Sequence, residues 1–424
     1  MRQLPQSSLS LYGRIMKILV LNAGSSSQKS CLYELETVSY PSTPPQPLWH
    51  ATVDWSHHQD VAEIKVETAT GGVLKESLAA TSRLEVITHL LTSLWQGEMA
   101  VLNTLGDIDA VGHRVVHGGE TYQQTVRVTP EVKSTIAGLA SLAPAHNPAN
   151  LEGMIAIEQV LGATVPQFAV FDTAFHHSLP AAAAIYPGPY AWQAKGIRRY
   201  GFHGISHQYC AQRVQQLWPG EQQGLRLIIC HLGNGCSLSA VQDGQSIDTT
   251  MGFTPLDGLM MGTRSGSVDP GILLHLLRQE GYTPDQLDQE LNKASGLLGI
   301  SGVSADLRQV LAAIEAGNAQ AQLALEIYIH RLRGGIGAML ASLGGLDALV
   351  FTAGVGENST LVRAKACAAF GFLGLDLDPE LNASHPVDQD IATSGSKIRV
   401  YVVHTQEDWA IARECYEQMS KPKS

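Results

Sequence analysis

Apolar runs that break at glycine recur along this chain, and their periods predict its elements. The stretch ILVLNAGSSSQKSCLYEL (18–35) holds an apolar run, then Asn22-Ala23-Gly24 and three serines, then alternating apolar and polar residues. It predicts a buried strand over 16–24 and a hairpin partner over 28–35. A proline-rich loop, SYPSTPPQP (39–47), leads to WHATVDW and AEIKVET, whose alternation predicts further strands. RLEVITHLLTSLW (83–95) has helical spacing, and IDAVGHRVVHGG (108–119) reads as a strand entering a Gly-Gly loop. Helices are predicted over 130–142 and 148–161, and VPQFAVFDTAFH (165–176) as a buried strand entering a loop. The second half repeats the theme. LRLIICHLGNGCSLSAV (225–241) is again strand, glycine loop, strand, and DALVFTAGVGEN (347–358) is a strand ending in glycines before a helix. Helices are predicted over 204–217, 269–279 and 319–342, and IRVYVVHTQEDWAIARECYEQM (398–419) closes with a strand, an acidic turn and a helix. Strands alternating with helices argue an α/β fold. Two strand–glycine-loop–strand units about two hundred residues apart suggest the duplication of a whole domain.

Bulk properties narrow the function. At 424 residues the chain exceeds one ordinary core and suggests two domains. The net charge is −11 and lysines and arginines form no run, which argues against nucleic acid or an anionic membrane as partner. The six cysteines are scattered without a CxxC pair, as buried or incidental thiols of a reducing compartment would be. No apolar stretch reaches transmembrane length and the opening residues lack a secretory pattern, so a cytoplasmic protein is expected. Residues 1–15 read as a disordered leader, or as sequence ahead of a natural start at Met16.

The glycine loops are the first candidates for chemistry. A tight Gly/Ser hairpin aims backbone N–H groups and hydroxyls at one point, which suits an anion. NAGSSSQK (22–29) and HLGNGCS (231–237) are two such hairpins, and the glycines of TAGVGEN (352–358) form a third turn ahead of a helix. No GxxxxGK[ST] is present. Arg114 in GHRVVHGG and Arg264 in MGTRSGS lie beside glycines, where a guanidinium can hold a carboxylate or phosphate at two points or form a structural salt bridge. His146 in LAPAHNPAN and His203 in RYGFHGISH sit in loops, where a histidine braces a turn or takes part in catalysis. His50, His57, His58, His113, His117, His176, His177, His207 and His404 read as braces. Asp172 ends a buried strand in VFDTAFH, and Glu407 opens the last helix. A carboxylate at a strand's carboxyl end is suited to Mg²⁺, whereas Glu407 alone is also the acid a helix N-terminus favours.

Taken in order, NAGSSSxK, GHRVVHGG, APxHNP, FDTAFH, YGFHGxSH, HLGNGCS, MGTRSG, FTAGVGEN and TxExxxIAR resemble the motifs of the acetate kinase family, from Met16 to about Arg413. The resemblance implies duplicated actin-like (ribonuclease H-like) ATPase domains, each with a mostly five-stranded mixed sheet, and a cleft between them. The domains would be 16–172 with 408–424, and 173–407, the latter supplying the interface of a homodimer. The implied reaction is ATP + acetate ⇌ ADP + acetyl phosphate, with Mg²⁺, or Mn²⁺ in its place, as the metal. Carried over by motif, Asn22 and Glu407 belong to the metal site, and Ser25, Ser27 and Lys29 to the phosphate hairpin. Arg114 would hold the carboxylate, with Val116, His146, Phe202 and Pro255 around the acid. Asp172, His203 and Arg264 would be catalytic. His231, Leu232, Gly233, Asn234 and Gly235 would form the second phosphate loop. Asp306, Leu307 and Arg308, with Gly354, Val355, Gly356, Glu357 and Asn358, would lie near adenosine.

Two positions depart from the family pattern. Ala145 stands where leucine is common, which would enlarge the acyl pocket and admit propionate. Gln28 stands where an apolar residue is usual, and its place beside Lys29 suggests that it faces solvent. A propionate or other short-chain acid kinase is therefore the first alternative, and a non-enzymatic ATP-binding member of the fold the second.

Overall fold

The computed structural model describes residues 15–24, 27–36, 43–58, 61–79, 82–144 and 146–421, with the backbone alone at 56–58. The leader up to residue 14, Ser25, the start of the proline-rich loop and Ala145 lie outside the described residues. The chain divides into two compact units, one running to Phe171 and resuming at Gln406, the other spanning Asp172–Thr405.

The first unit holds an eight-stranded sheet of β1 (Ile15–Ala23), β2 (Ser27–Glu36), β3 (Trp49–His58), β4 (Val61–Thr68), β5 (Val73–Ala79), β6 (Ala110–Val115), β7 (Val126–Arg127) and β8 (Gln167–Phe171), in the order β5-β4-β3-β2-β1-β6-β8-β7. The hairpin β1–β2 is antiparallel, with Asn22 opposite Lys29. β1, β6 and β8 run parallel. The second unit holds a six-stranded sheet of β9 (Arg226–Leu232), β10 (Cys236–Gln242), β11 (Gln245–Thr249), β12 (Ala348–Thr352), β13 (Gln389–Asp390) and β14 (Arg399–Val402), ordered β11-β10-β9-β12-β14-β13. Its β9–β10 and β10–β11 pairs are antiparallel and its β9, β12 and β14 parallel.

Both sheets thus contain the same five-strand core, an antiparallel meander of three strands followed by two parallel ones. This is the architecture expected of a duplicated domain. The five-strand expectation undercounts the sheets, because the first carries β4, β5 and β7 and the second β13. β5 escapes sequence reading because it is an outer strand with no buried residue, and its Lys75 and Glu76 suit such an edge. The central strands β8, β9 and β12 are buried nearly throughout, so their apolar runs are continuous.

In the first unit, Leu19, Leu32, Trp49, Ile87, Val111 and Ile157 belong to one core that draws in the helices Arg83–Thr92 and Asn147–Leu161. The helix Glu407–Ser420 also packs on this sheet, against β1 and β6. Gly112 of β6 permits that approach, since a methyl there would lie 2.6 Å from Cys415 Sγ and Ile411 Cγ2. In the second unit the helix Ala319–Leu343 lies against β10.

Gln28 corrects its expectation. It is 1% exposed, and its Nε2 donates to Ser30 Oγ at 3.2 Å while its Oε1 has no partner among the described residues. The alternation decides this, because Ser27 and Lys29 point outward and Gln28 must therefore point inward. All six cysteines are buried free thiols. Among the described residues no helix is long and apolar enough to cross a membrane.

Candidate active site

Proposed site residues gather at or just beyond the carboxyl ends of the parallel strands, the usual place for ligands in open α/β sheets. In the first unit Asn22 lies near the end of β1 and Arg114 in β6. The first hairpin turn is closed by Gly24 N–H donating to Ser27 O at 2.8 Å, so that N–H serves the turn and not an anion. The Asn22 amide donates through Nδ2 to Asp408 Oδ1 at 2.8 Å and to Glu407 Oε2 at 3.3 Å, and its Oδ1 accepts from Arg114 Nη1 at 3.4 Å. The sheet and the last helix thereby bring together an amide, a guanidinium and two adjacent acids.

Asp408 is absent from the sequence-derived site. Burial raises its carboxyl above the ordinary aspartate value, against the Asn22 hydrogen bond and the Lys29 charge, and Glu407 pushes the same way. The only sequence signal was its place beside Glu407 in TQEDWAIAR. Val116 is buried, and its N–H donates to Asn150 Oδ1 at 3.2 Å. His146 precedes the helix Asn147–Leu161, and its carbonyl accepts from Asn150 N–H.

In the second unit Asp172 is 1% exposed, and its carbonyl accepts the N–H of Gly204 at 2.8 Å. Only glycine fits at 204, since a methyl there would lie 2.1 Å from that carbonyl oxygen. His203, just ahead of the helix Gly204–Leu217, has φ 56° and ψ 25°, a left-handed conformation uncommon for a side-chain-bearing residue. The preceding carbonyl, of Phe202, accepts from His176 Nε2 at 3.0 Å, and His176 Nδ1 lies 2.8 Å from Ser246 Oγ. Burial pushes His176 down to about 4, so it serves as a neutral brace.

The second glycine hairpin turns at Gly233-Asn234-Gly235, where Gly233 N–H closes on Gly235 O at 3.0 Å. A methyl in place of a Gly235 hydrogen would lie 3.3 Å from the His203 ring and 3.4 Å from Arg264 Nη1. Gly235 therefore leaves a small space that His203 and Arg264 both face. Arg264 Nη1 also donates to Pro255 O at 3.1 Å. The His231 ring stacks on that of His203 at 4.1 Å, with its Nδ1 2.8 Å from Ser206 Oγ. Leu232 and Phe202 are buried in the core.

The residues assigned to adenosine are placed differently. Asp306 caps the helix Leu307–Glu315 and pairs with the exposed Arg308, whose Nη2 lies 2.6 Å from Asp306 Oδ2. Leu307 is buried. The glycines of TAGVGEN form no open turn, because Ala353–Asn358 coils into a short helix. Glu357 explains this, since its Oε1 accepts from the N–H of Ala353 at 2.8 Å and of Thr405 at 3.0 Å, and its Oε2 meets His404. Burial raises the Glu357 carboxyl, but His404 and the two N–H donors outweigh it and hold it below the ordinary value. Its carboxylate is thus engaged within the protein. Asn358 Nδ2 donates back to Gly354 O.

A model of the sequences of the acetokinase family matches residues 17–413. The chain belongs to the acetokinase family. It is 64% identical over 403 residues to an acetate kinase of Cyanothece sp., covering 95% of this chain and 98% of that one. It is 62% identical to an acetate kinase of Gloeobacter violaceus, over 96% of this chain and all of the relative. Among solved structures, Porphyromonas gingivalis acetate kinase is similar with TM-score 0.85 at 38% identity, covering 96% of this chain and 100% of that one. A propionate kinase from Francisella tularensis is similar with TM-score 0.85 at 36% identity, covering 95% and 99%. As an acetokinase the chain is a kinase, and the match takes in every site residue named above, Asp408 included.

Proposed function

We propose that this acetokinase transfers the γ-phosphoryl group of ATP reversibly to acetate, giving acetyl phosphate and ADP by direct in-line displacement. The observation that carries the reading is the more than 60% identity to curated acetate kinases across nearly the whole chain. The acceptor carboxylate has a free pKa of about 4 to 5 and is already ionised at neutral pH, so no general base is needed. The work is to neutralise and align two anions. Arg114 binds the acid beside Val116, and Arg264 with His203 stabilises the equatorial oxygens of a loose transition state. Asp172 orients Arg264 or a water and removes no proton. A covalent phosphoaspartate would add a step that an ionised acceptor does not require.

The family implies ATP and a divalent metal. Glu407 and Asp408 offer carboxylate oxygens, both held by the Asn22 amide nitrogen, and no group of three acids, histidines or cysteines forms a metal cage among the described residues. That donor set fits Mg²⁺, or Mn²⁺, which is bound by one or two carboxylates with substrate phosphates and water. When bound, it would supply positive charge at the leaving phosphates.

The test is hydroxamate formation from MgATP and hydroxylamine with acetate, propionate and butyrate in parallel. Acetate should give the highest kcat/KM. Propionate at or above acetate would reassign the enzyme as a broader short-chain acid kinase and implicate Ala145. No hydroxamate with any acid would end the kinase reading.

The same reading includes a cytoplasmic homodimer. Buried free thiols suit a reducing compartment. The helix Pro270–Gln279 has no buried residue although its sequence is PGILLHLLRQ, and Ile272 and Leu274 are 50% and 49% exposed. An apolar face of this kind marks an association surface. Sedimentation should give twice the chain mass, and Ile272→Asp with Leu274→Asp should give a single chain. A wild-type monomer would remove the dimer.

A further inference from the structure

We propose that His207 and Ser237 set the tautomer of His203, so that His203 presents an N–H at Nε2 and keeps a lone pair at Nδ1. For its effect on rate this rests on the reading of His203 as a group touching the transferred phosphoryl group, although the tautomer is measurable without it.

The chain of reasoning starts from a buried defect. His207 follows His203 by one helical turn and is fully buried. Its Nε2 lies 2.7 Å from Ser237 Oγ, while its Nδ1 has no partner among the described residues. Burial, with His176 and His231 adding in the same direction, holds His207 well below the ordinary histidine value and hence neutral. One ring nitrogen then carries the hydrogen. A hydrogen on Nδ1 would bury a donor with no acceptor, which is rarer and costlier than a buried lone pair. The hydrogen therefore sits on Nε2 and is donated to Ser237 Oγ.

Ser237 is itself fully buried, on β10 opposite His231 of β9. Its hydroxyl has a single hydrogen. With Nε2–H of His207 donating to the oxygen, that hydrogen points to His203 Nδ1, 2.9 Å away. An Nδ1 that accepts requires the neutral imidazole to carry its hydrogen on Nε2. This edge of the ring is the one 3.3 Å from the Gly235 position, which Arg264 Nη1 also approaches at 3.4 Å. The stacked His231 holds the ring plane. The relay leaves a fixed neutral donor beside a fixed cation, with no proton to rearrange during transfer. Ser237 and His207 are positioning residues, since they act through His203.

The experiment is a long-range ¹H–¹⁵N correlation spectrum of full-length enzyme labelled at histidine. The His203 and His207 signals are assigned by their loss in His203→Gln and His207→Gln. Both should show the Nε2-protonated pattern. Ser237→Ala should shift His203 to a tautomer mixture and lower kcat by on the order of 10- to 100-fold with KM for ATP little changed. Ser237→Thr, which restores the hydroxyl, should recover both. If Ser237→Ala does not fold, the wild-type and Ser237→Thr spectra carry the test. An Nδ1-protonated His203 in the wild type, or a tautomer that Ser237→Ala leaves alone, overturns the relay. A shifted tautomer with unchanged kcat leaves the relay standing and overturns the role given to His203.

Discussion

Arg264→Ala should lower kcat/KM by on the order of 10³-fold or more, the scale on which a transition-state arginine acts in phosphoryl transfer. The guanidinium is held in place before substrate arrives. Its Nη1 donates to Pro255 O, and Met261 N–H donates to the carbonyl of Arg264 at 3.1 Å. Neighbouring backbone bonds from Ser295 to Thr263 and from Leu297 to Met261 tie this loop to the short helix Gly296–Ser301. The side chain can therefore be removed without loosening the loop, so the melting temperature should stay close to wild type. KM for ATP should change little if the contact forms mainly in the transition state. Arg264→Lys should recover only part of the rate, because a point charge replaces a planar fork. Steady-state kinetics in both directions would check this, and a loss under tenfold would remove Arg264 from the mechanism.

The second large effect concerns stability. Arg363 is 1% exposed, and its guanidinium meets oxygen atoms of neutral groups. Nη1 donates to the carbonyls of Gly356 at 2.9 Å and Glu357 at 2.7 Å, Nε to Asn382 Oδ1 at 2.7 Å, and Nη2 to Asn382 O at 2.8 Å. Two of these carbonyls lie at the C-terminal end of the short helix Ala353–Asn358, where a cation is favoured. Arg363→Met keeps much of the volume but strands four buried bonds, and should cost about 3–5 kcal/mol. Calorimetry should show the loss in the transition of the second unit. Arg363→Lys should restore only part of it, since one ammonium cannot reach all four acceptors. A change under about 1 kcal/mol, the net worth of one ordinary hydrogen bond, would show that the carbonyls find other partners.

What could be read from sequence alone followed burial on both faces. β1, β8, β9 and β12 are nearly continuous apolar runs that stop at polar or glycine residues, and each was visible for that reason. The helix Pro284–Lys293 was not, because PDQLDQELNK has only two apolar residues, Leu287 and Leu291, among charged and amide side chains, and buries only the first. The polarity of Gln28 points to solvent, but the strand period that Lys29 fixes turns it inward. At TAGVGEN the glycines suggested an open turn, whereas Glu357 reaches back to the Ala353 N–H and winds the segment up. Asp408 and Arg363 needed the fold itself. Asn22 lies 386 positions from Asp408, and no local pattern links them. Arg363 meets its partners at Gly356, Glu357 and Asn382 only once the helix Thr360–Cys367 is folded against them.

The interrupted first unit has a consequence for the order of events at the ribosome. Its sheet is made from the early part of the chain, but the helix that packs on β1 and β6 begins at Glu407. The whole second unit, an unbroken stretch, emerges before that helix and can fold while the first still waits for its last piece. Glu407 and Asp408 reach Asn22 only when this helix docks. A half-made chain therefore lacks the acid pair beside Asn22 until synthesis is nearly over.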